Sequence, residues 1–222
     1  MSGFTTKHVF VSCTLLLSLI ACGGPPPVAT APVAAPTVEP APPPAPDLAA
    51  IFTATGKPLA SFKLTSTDIA EGGKLAQAHV YNGFGCSGGN LSPALHWSGA
   101  PAGTRSFAIL MYDPDAPTGS GFWHWLVYNL PATTTSLAAG AGEASGKALP
   151  AGAGQGRTDF GSAGYGGPCP PPGSGDHHYY FRVHALKIDK LELPPEATAA
   201  LVGFNINGNT LATAQLVGLY GR

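Results

Sequence analysis

Met111-Tyr-Asp-Pro-Asp-Ala-Pro117, followed closely by Gly121-Phe-Trp-His-Trp125, joins two apolar runs, and its reading decides the architecture of the chain. Residues 105–113 have strand length and end at Pro114, and residues 124–130 form a second such run that Pro131 stops. A turn-rich connection of about ten residues separates them. If the two strands pair antiparallel, the end of the first lies beside the start of the second, which brings Asp113 near His124.

Outward from this pair, residues 179–188 form a third long strand, and 62–65, 79–81, 94–97 and 214–219 are shorter candidates. Gly and Pro clusters sit between nearly all of them, the pattern of a β sandwich and not of alternating βαβ units. Residues 195–204 and 207–212 read as the only helices, and Pro194 and Pro195 suit a first turn. The stretch 138–156 is dominated by Gly and Ala and reads as a long exposed loop. Its Gly-x-Gly pairs lead into no Gly-Lys-Ser/Thr, which argues against a nucleotide-binding phosphate loop. There is no internal repeat.

The N-terminus carries Lys7, a short apolar run over 9–20, and then Ala21-Cys22. That run is too short for a comfortable membrane span and fits a secretory signal peptide. The ending Leu19-Ile20-Ala21-Cys22 resembles a bacterial lipoprotein signal, which implies cleavage over 1–22 and acylation of Cys22. An ordinary signal peptide with a chance cysteine is the alternative. In such lipoproteins Gly23 after the cysteine, in place of Asp, points to the outer membrane facing the periplasm. Residues 23–47 are Pro, Ala, Val and Thr with almost no charge, a disordered extended tether that forms no core. Residues 48–222 suit one domain.

With 11 basic and 12 acidic residues, a net charge of −1 and a pI near 6.6, the chain has no electrostatic footprint for nucleic acid. Of its 4 cysteines, Cys13 leaves with the signal and Cys22 is the lipid site, so Cys86 and Cys169 remain. An even pair in an oxidising compartment reads as a disulfide, with free thiols or a metal pair as the alternative. Closing a loop of about 80 residues would stabilise the fold by about 4 kcal/mol in the chain-entropy account.

Polar side chains gather around these strands although only 10% of residues are charged. His177 and Tyr179, two apart at the start of the third strand, share a sheet face that Phe181 and Val183 continue as core. His184, of opposite parity, reads as a satisfied structural histidine. A lone carboxylate repels an anion, but histidines beside it change the sign of the site, since the carboxylate favours the imidazolium. One ring N–H can then bond Asp113 and the other a phosphate, sulfate or carboxylate oxygen. Tyr179 and the close-approaching Gly166-Gly167 backbone add donors, while Phe122, Trp123 and the prolines supply apolar walls. The pattern is a small anion pocket with an apolar mouth. Zinc lacks a compact His-x-x-x-His spacing, and a Ser-His-Asp hydrolase lacks a strand-to-helix elbow, since Ser120 and Ser174 lie in Gly-Ser-Gly turns. A purely structural network is the remaining alternative, because Asp in Asp-Pro turns often caps its own backbone.

At these residues the chain resembles the phosphatidylethanolamine-binding protein family, specifically its bacterial Raf kinase inhibitor-like members. The resemblance is carried by Asp113-Pro-Asp-Ala-Pro117, Gly121-Phe-Trp-His124, Gly167-Pro-Cys-Pro-Pro171 and His177-x-Tyr179. It extends through Asn82-Gly-Phe-Gly-Cys-Ser-Gly-Gly-Asn-Leu-Ser-Pro93 and Leu95-His-Trp97 to Leu216-Val-Gly-Leu-Tyr-Gly221. It implies a mainly β fold in which a large central antiparallel sheet packs on a smaller one, with short C-terminal helices. It also implies a pocket for phosphate-like anions, with Asp113 and His124 on one side and Gly167, His177 and Tyr179 on the other, while Asp115 and Pro117 shape the turn. An oxidised Cys86–Cys169 pair would brace the anion loop. Two departures stand out: His178 replaces the family's usual Arg, and Gly208-Asn209 replaces a Gly-His pair.

The expectation is an exported, lipid-anchored, non-catalytic protein of the cell envelope that binds phospholipid headgroups or phosphorylated ligands, with no cofactor and no metal. Inhibition of a kinase or protease through protein contact is the alternative; a hydrolase is the weaker one.

Overall fold

The computed structural model describes residues 61–222. The expected signal peptide, Cys22, the tether and the start of the domain at 48 lie outside the described residues. Short strands come first: β1 (Lys63–Thr65), β2 (Gly73–Lys74), β3 (Asn82–Gly83), β4 (Cys86–Ser87) and β5 (Leu95–Ser98). Long and short strands then alternate: β6 (Ser106–Asp113), β7 (Phe122–Pro131), β8 (Ser136–Leu137), β9 (Gly154–Gln155) and β10 (His177–Leu186). Helix α1 (Ala199–Asn209) runs directly into β11 (Thr210–Tyr220).

Six strands in the order β2-β11-β10-β6-β7-β9 make the large sheet, antiparallel except for the β2–β11 pair. The order β1-β5-β8 makes the small one, and β3 pairs β4 as a hairpin. The near-continuous apolar run of β6 follows from burial on both faces. Phe107, Ile109 and Met111 join Trp125, Phe181 and Val183 in the core shared with Leu64, Leu95 and Trp97 of the small sheet. Ala108, Leu110 and Leu126 face the other way, against Val202 and Ile206 of α1. Each fully buried large side chain here contributes roughly 1.5–3 kcal/mol, so both faces are strongly specified.

The large sheet, the smaller sheet and the long central strands are those expected. The helices differ: 195–204 and 207–212 are not two helices but one, Ala199–Asn209, and the strand expected over 214–219 begins earlier, at Thr210. Thr198 caps α1 by accepting the Leu201 N–H, and Asn205 and Asn209 donate their amides to the carbonyls of Leu201 and Asn205. The helix carries Gly203, Asn205, Asn207 and Gly208, weak helix formers, because burial of Val202, Gly203 and Ile206 outweighs propensity. It stops where Thr210 turns extended and β11 begins pairing with β10. The strand expected over 79–81 is a 3-10 turn (Gln77–His79), whose amides bond back to Ala76 and Gln77. The 138–156 stretch is not simply exposed: Ala141 and Gly142 are buried, and a Cβ on Gly142 would lie 2.6 Å from Tyr165 and 3.0 Å from Trp125.

His184 is buried with Nδ1 near the hydroxyls of Thr210 and Thr213, but Nε2 lacks any partner, so it is structural without being fully satisfied. Burial, helped by nearby Arg182, pulls its imidazole down to about 4. Unfolding restores the ordinary value near 6.5, so the unfolded chain binds more protons between these limits, and stability falls as pH drops from 6.5 to 4. We expect His184→Asn to remove roughly 3 kcal/mol of that acid-induced loss. Urea unfolding of both proteins at pH 7 and pH 4.5 measures it; parallel pH slopes would refute it.

Candidate functional site

Asp113 ends β6 inside the fold, 2% exposed. Its Oδ1 accepts the N–H groups of Asp115 (2.8 Å) and Ala116 (3.1 Å), which folds the Asp-Pro-Asp turn back on the strand. Its Oδ2 accepts the Nδ1–H of buried His177 at 2.8 Å. A buried carboxylate with three donors is satisfied where an unpaired one would not persist. The second nitrogen of His177 lies 3.0 Å from the Ser174 hydroxyl, which is itself 2.8 Å from the Pro171 carbonyl. The direct partner of Asp113 is therefore His177 and not His124, and neither ring nitrogen of His177 is left over for a ligand.

The β6–β7 register explains where His124 goes. Asp113 faces Phe122, Tyr112 faces Trp123 and Met111 faces Trp125, so His124 is the extra residue of a β-bulge. Trp123 points toward the helix side and Trp125 into the inter-sheet core. The bulge puts His124 on the same side as Trp125, in edge contact with the ring of Tyr179 at 5.2 Å. Its Nδ1–H donates to the Gly166 carbonyl at 2.8 Å, and Nε2 has no partner among the described residues. Burial pushes this imidazole below the ordinary histidine value, against the opposing pull of the Gly166 carbonyl and the Asp113 and Asp159 carboxylates.

Asp113, His124, His177 and Tyr179 come together at the base of a cavity of about 220 Å³. Tyr179 is wholly buried, and its hydroxyl stands beside the Asp113 carboxylate without a hydrogen bond of good geometry to it or to any other described residue. Burial, then the neighbouring Asp113, drives the phenol pKa upward, so it remains an O–H donor. Pro117, Phe122, Phe160, Phe84 and the Pro170-Pro171 pair form apolar walls. The Cys86–Cys169 disulfide is present with Cα atoms 6.0 Å apart, tying the β3–β4 hairpin to the proline wall. Arg222 clamps the same two pieces, donating to the carbonyls of Pro170, Gly85 and Phe84.

Four expected contributors, Asp115, Gly166, Gly167 and Trp123, stand elsewhere. The Asp115 carboxylate turns outward, accepting both the backbone N–H (2.7 Å) and the Nδ1–H (2.8 Å) of His178. The Gly167 N–H donates to Asn90, and the Gly166 N–H to the His124 carbonyl, so neither amide is available. Gly167 is needed for packing, since a Cβ there would lie 2.0 Å from the His79 carbonyl oxygen. Trp123 packs on Tyr112, on the other face of the sheet. Phe84 and Phe160 line the cavity, although phenylalanines in glycine-flanked turns carry no sequence signal of convergence, and Ser174, which the sequence offers only as a turn serine, meets His177 outside the lining. Among the described residues no group of three or more His, Cys, Asp or Glu is placed to hold a metal ion. His178, in place of the usual Arg, pairs with Asp115 on the surface, and Gly208-Asn209 ends α1 and lines none of the cavity.

The sequence model of the family described as phosphatidylethanolamine-binding protein matches residues 65–221. Escherichia coli YbcL is 55% identical over 161 residues, spanning 72% of this chain and 88% of YbcL. Its crystal structure, described as that of a new member of the mammalian PEBP family, superposes with a TM-score of 0.72 at 54% identity, covering 73% of this chain and 99% of that one. Escherichia coli YbhB is 49% identical over 158 residues, 71% of this chain and 99% of YbhB. A Mycobacterium tuberculosis protein, the candidate lipoprotein LppC, is 39% identical over 137 residues, 62% of this chain and 63% of its own. The match spans the large sheet and the apolar-walled cavity at its Asp113 end. The chain belongs to the phosphatidylethanolamine-binding protein family.

The disulfide closes a loop with a sequence separation of 83. Intact mass should rise by two hydrogens on reduction, and the Cys86→Ser, Cys169→Ser double variant should lose up to about 4 kcal/mol of unfolding free energy in urea. An unchanged mass, or an unchanged midpoint, would contradict the clamp.

Proposed function

We propose that this protein binds small phosphate-type anions, as a phospholipid headgroup or a phosphorylated ligand, in the cavity at the Asp113 end of the large sheet. The observation that carries this reading is the buried Tyr179 hydroxyl, a donor that stands beside the Asp113 carboxylate without a well-formed hydrogen bond and, with His124, lines an apolar-walled cavity. A buried donor with no acceptor costs about 1–3 kcal/mol, and a ligand oxygen would recover it. The neighbouring carboxylate is offset by His177 and by two backbone amides, so an incoming anion does not meet a bare negative charge.

Binding without turnover is the chemistry these groups favour. Ser174, His177 and Asp113 do form a hydrogen-bonded chain, but Ser174 stands outside the cavity lining and its hydroxyl is shared with the Pro171 carbonyl. The signal-like N-terminus ending in Cys22, together with the lipoprotein name of the LppC relative, supports acylation at Cys22 and residence in the cell envelope, at the periplasmic face of the outer membrane.

NMR titration with inorganic phosphate and phosphoethanolamine should move the resonances of His124, His177 and Tyr179. Tyr179→Phe should keep the fold and weaken binding roughly ten- to a hundredfold, the effect of one charge-assisted hydrogen bond. Absence of shifts in the native protein, or an unchanged affinity in the variant, would sink the anion reading.

A further inference from the structure

Two side chains lining the cavity carry a polar atom without a well-formed hydrogen bond, Tyr179 and His124. Tyr179 supplies the O–H. His124 supplies a lone pair: its Nδ1 faces a carbonyl oxygen, which only accepts, so the proton of the neutral ring sits on Nδ1 and Nε2 is bare. No Lys or Arg lines the cavity. Even with His177 protonated, Asp113 cancels it, so with His124 neutral the base of the cavity carries no net positive charge.

Several groups bear on the charge of His124. Asp113 comes from β6, His177 and Tyr179 from β10, Asp159 from the loop after β9, and the backbone of Gly166 and Gly167, both of which favour the charged ring, from beside the proline wall. The carboxylates and the carbonyl favour the imidazolium, but both carboxylates are already engaged, Asp113 by three donors and Asp159 by the Trp123 N–H at 2.8 Å. Phe122 and Phe160 pack against the ring and exclude the water that would solvate a cation. Burial therefore outweighs them, in the same direction as the lowered pKa.

Resting on the anion reading above, we propose that His124 makes this cavity selective for phosphate monoesters in their P–OH form over phosphate diesters. The monoester hydroxyl donates to Nε2 while an anionic oxygen accepts from Tyr179. A monoester has its second pKa near 6 and so keeps a P–OH in a large share of molecules around that pH. A diester, including the phosphate of an intact phospholipid, is ionised and has no P–OH. It sets an oxygen lone pair against a nitrogen lone pair until His124 takes up a proton. The physical basis matches other polar sites that reject an analogue lacking one hydroxyl, because a buried group is then left unpaired.

Methyl phosphate and dimethyl phosphate, titrated calorimetrically into the full chain at pH 6, test this directly. Methyl phosphate should bind at least about tenfold more tightly. Dimethyl phosphate binding, measured in two buffers of different ionisation enthalpy, should take up close to one proton, and methyl phosphate distinctly less. In His124→Gln, whose amide offers a donor of its own, the preference should shrink to within about twofold, whereas a purely steric preference would persist. Equal affinities in the native chain, dimethyl phosphate binding without proton uptake, or a preference retained in a folded His124→Gln protein each overturn the proposal while leaving anion binding intact. The proton count needs no variant, so a His124→Gln chain that fails to fold still leaves a decisive result. Binding of neither ester overturns the anion reading and this proposal together.

Discussion

The cavity depends on the buried Asp113–His177 pair. Its two residues lie at the same end of β6 and β10, neighbouring strands of the large sheet. The carboxylate also gathers the amides of Asp115 and Ala116, and the imidazole reaches the turn that carries Ser174. One ionisable pair thus fixes the 113–116 turn on one side of the cavity and the 171–177 segment on the other. A buried pair of this kind is poor evidence for net stability, because desolvation of both partners opposes their attraction. Its consequence is specificity: with either partner removed, the remaining polar group is stranded among Phe122, Tyr179 and Met111, so only the native arrangement satisfies both.

The bulge at His124 is the second requirement. With strict alternation along β7, His124 would share the helix side with Leu126, and the cavity would lose its only ring nitrogen free of protein partners. The extra residue turns two successive side chains, His124 and Trp125, to one face. One anchors the inter-sheet core and the other faces the cavity, so the bulge gives the core and the candidate site a single origin.

This also explains what could be read from the sequence. β6 is legible because both its faces are buried, which leaves an unbroken apolar run. The inward face of β10 is legible because His177, Tyr179, Phe181 and Val183 alternate. The disulfide is legible by counting cysteines. The partner of Asp113 is not, because spacing suggests the sequence-near His124, whereas pairing across β6 and β10 brings His177 from 64 residues away. Nor is the role of Gly167, which follows from the path of the 79–81 backbone beside it. The single helix escapes propensity reasoning because Gly203 admits the ring of Trp123, 3.2 Å from where a Cβ would stand. That is a tertiary contact with no local signature.

The site departs from the usual electrostatic design for binding anions. Proteins that hold phosphate commonly do so with guanidinium or ammonium groups, or at exposed helix N-termini. Here His178 stands where an Arg is usual and is paired on the surface with Asp115, so no fixed cation overlooks the cavity. On the proposed reading, recognition falls to hydrogen-bond polarity instead of net charge: one phenol that keeps its proton, one imidazole whose tautomer is set by Gly166, and apolar walls around both. The walls need rigidity more than charge, and they receive it twice, from the Cys86–Cys169 bond and from the Arg222 guanidinium, both joining the Phe84 hairpin to Pro170 and its neighbours. Under the proposed reading, a rigid cavity with no lining cation discriminates between ligands by where their protons sit, which a cationic cleft does not.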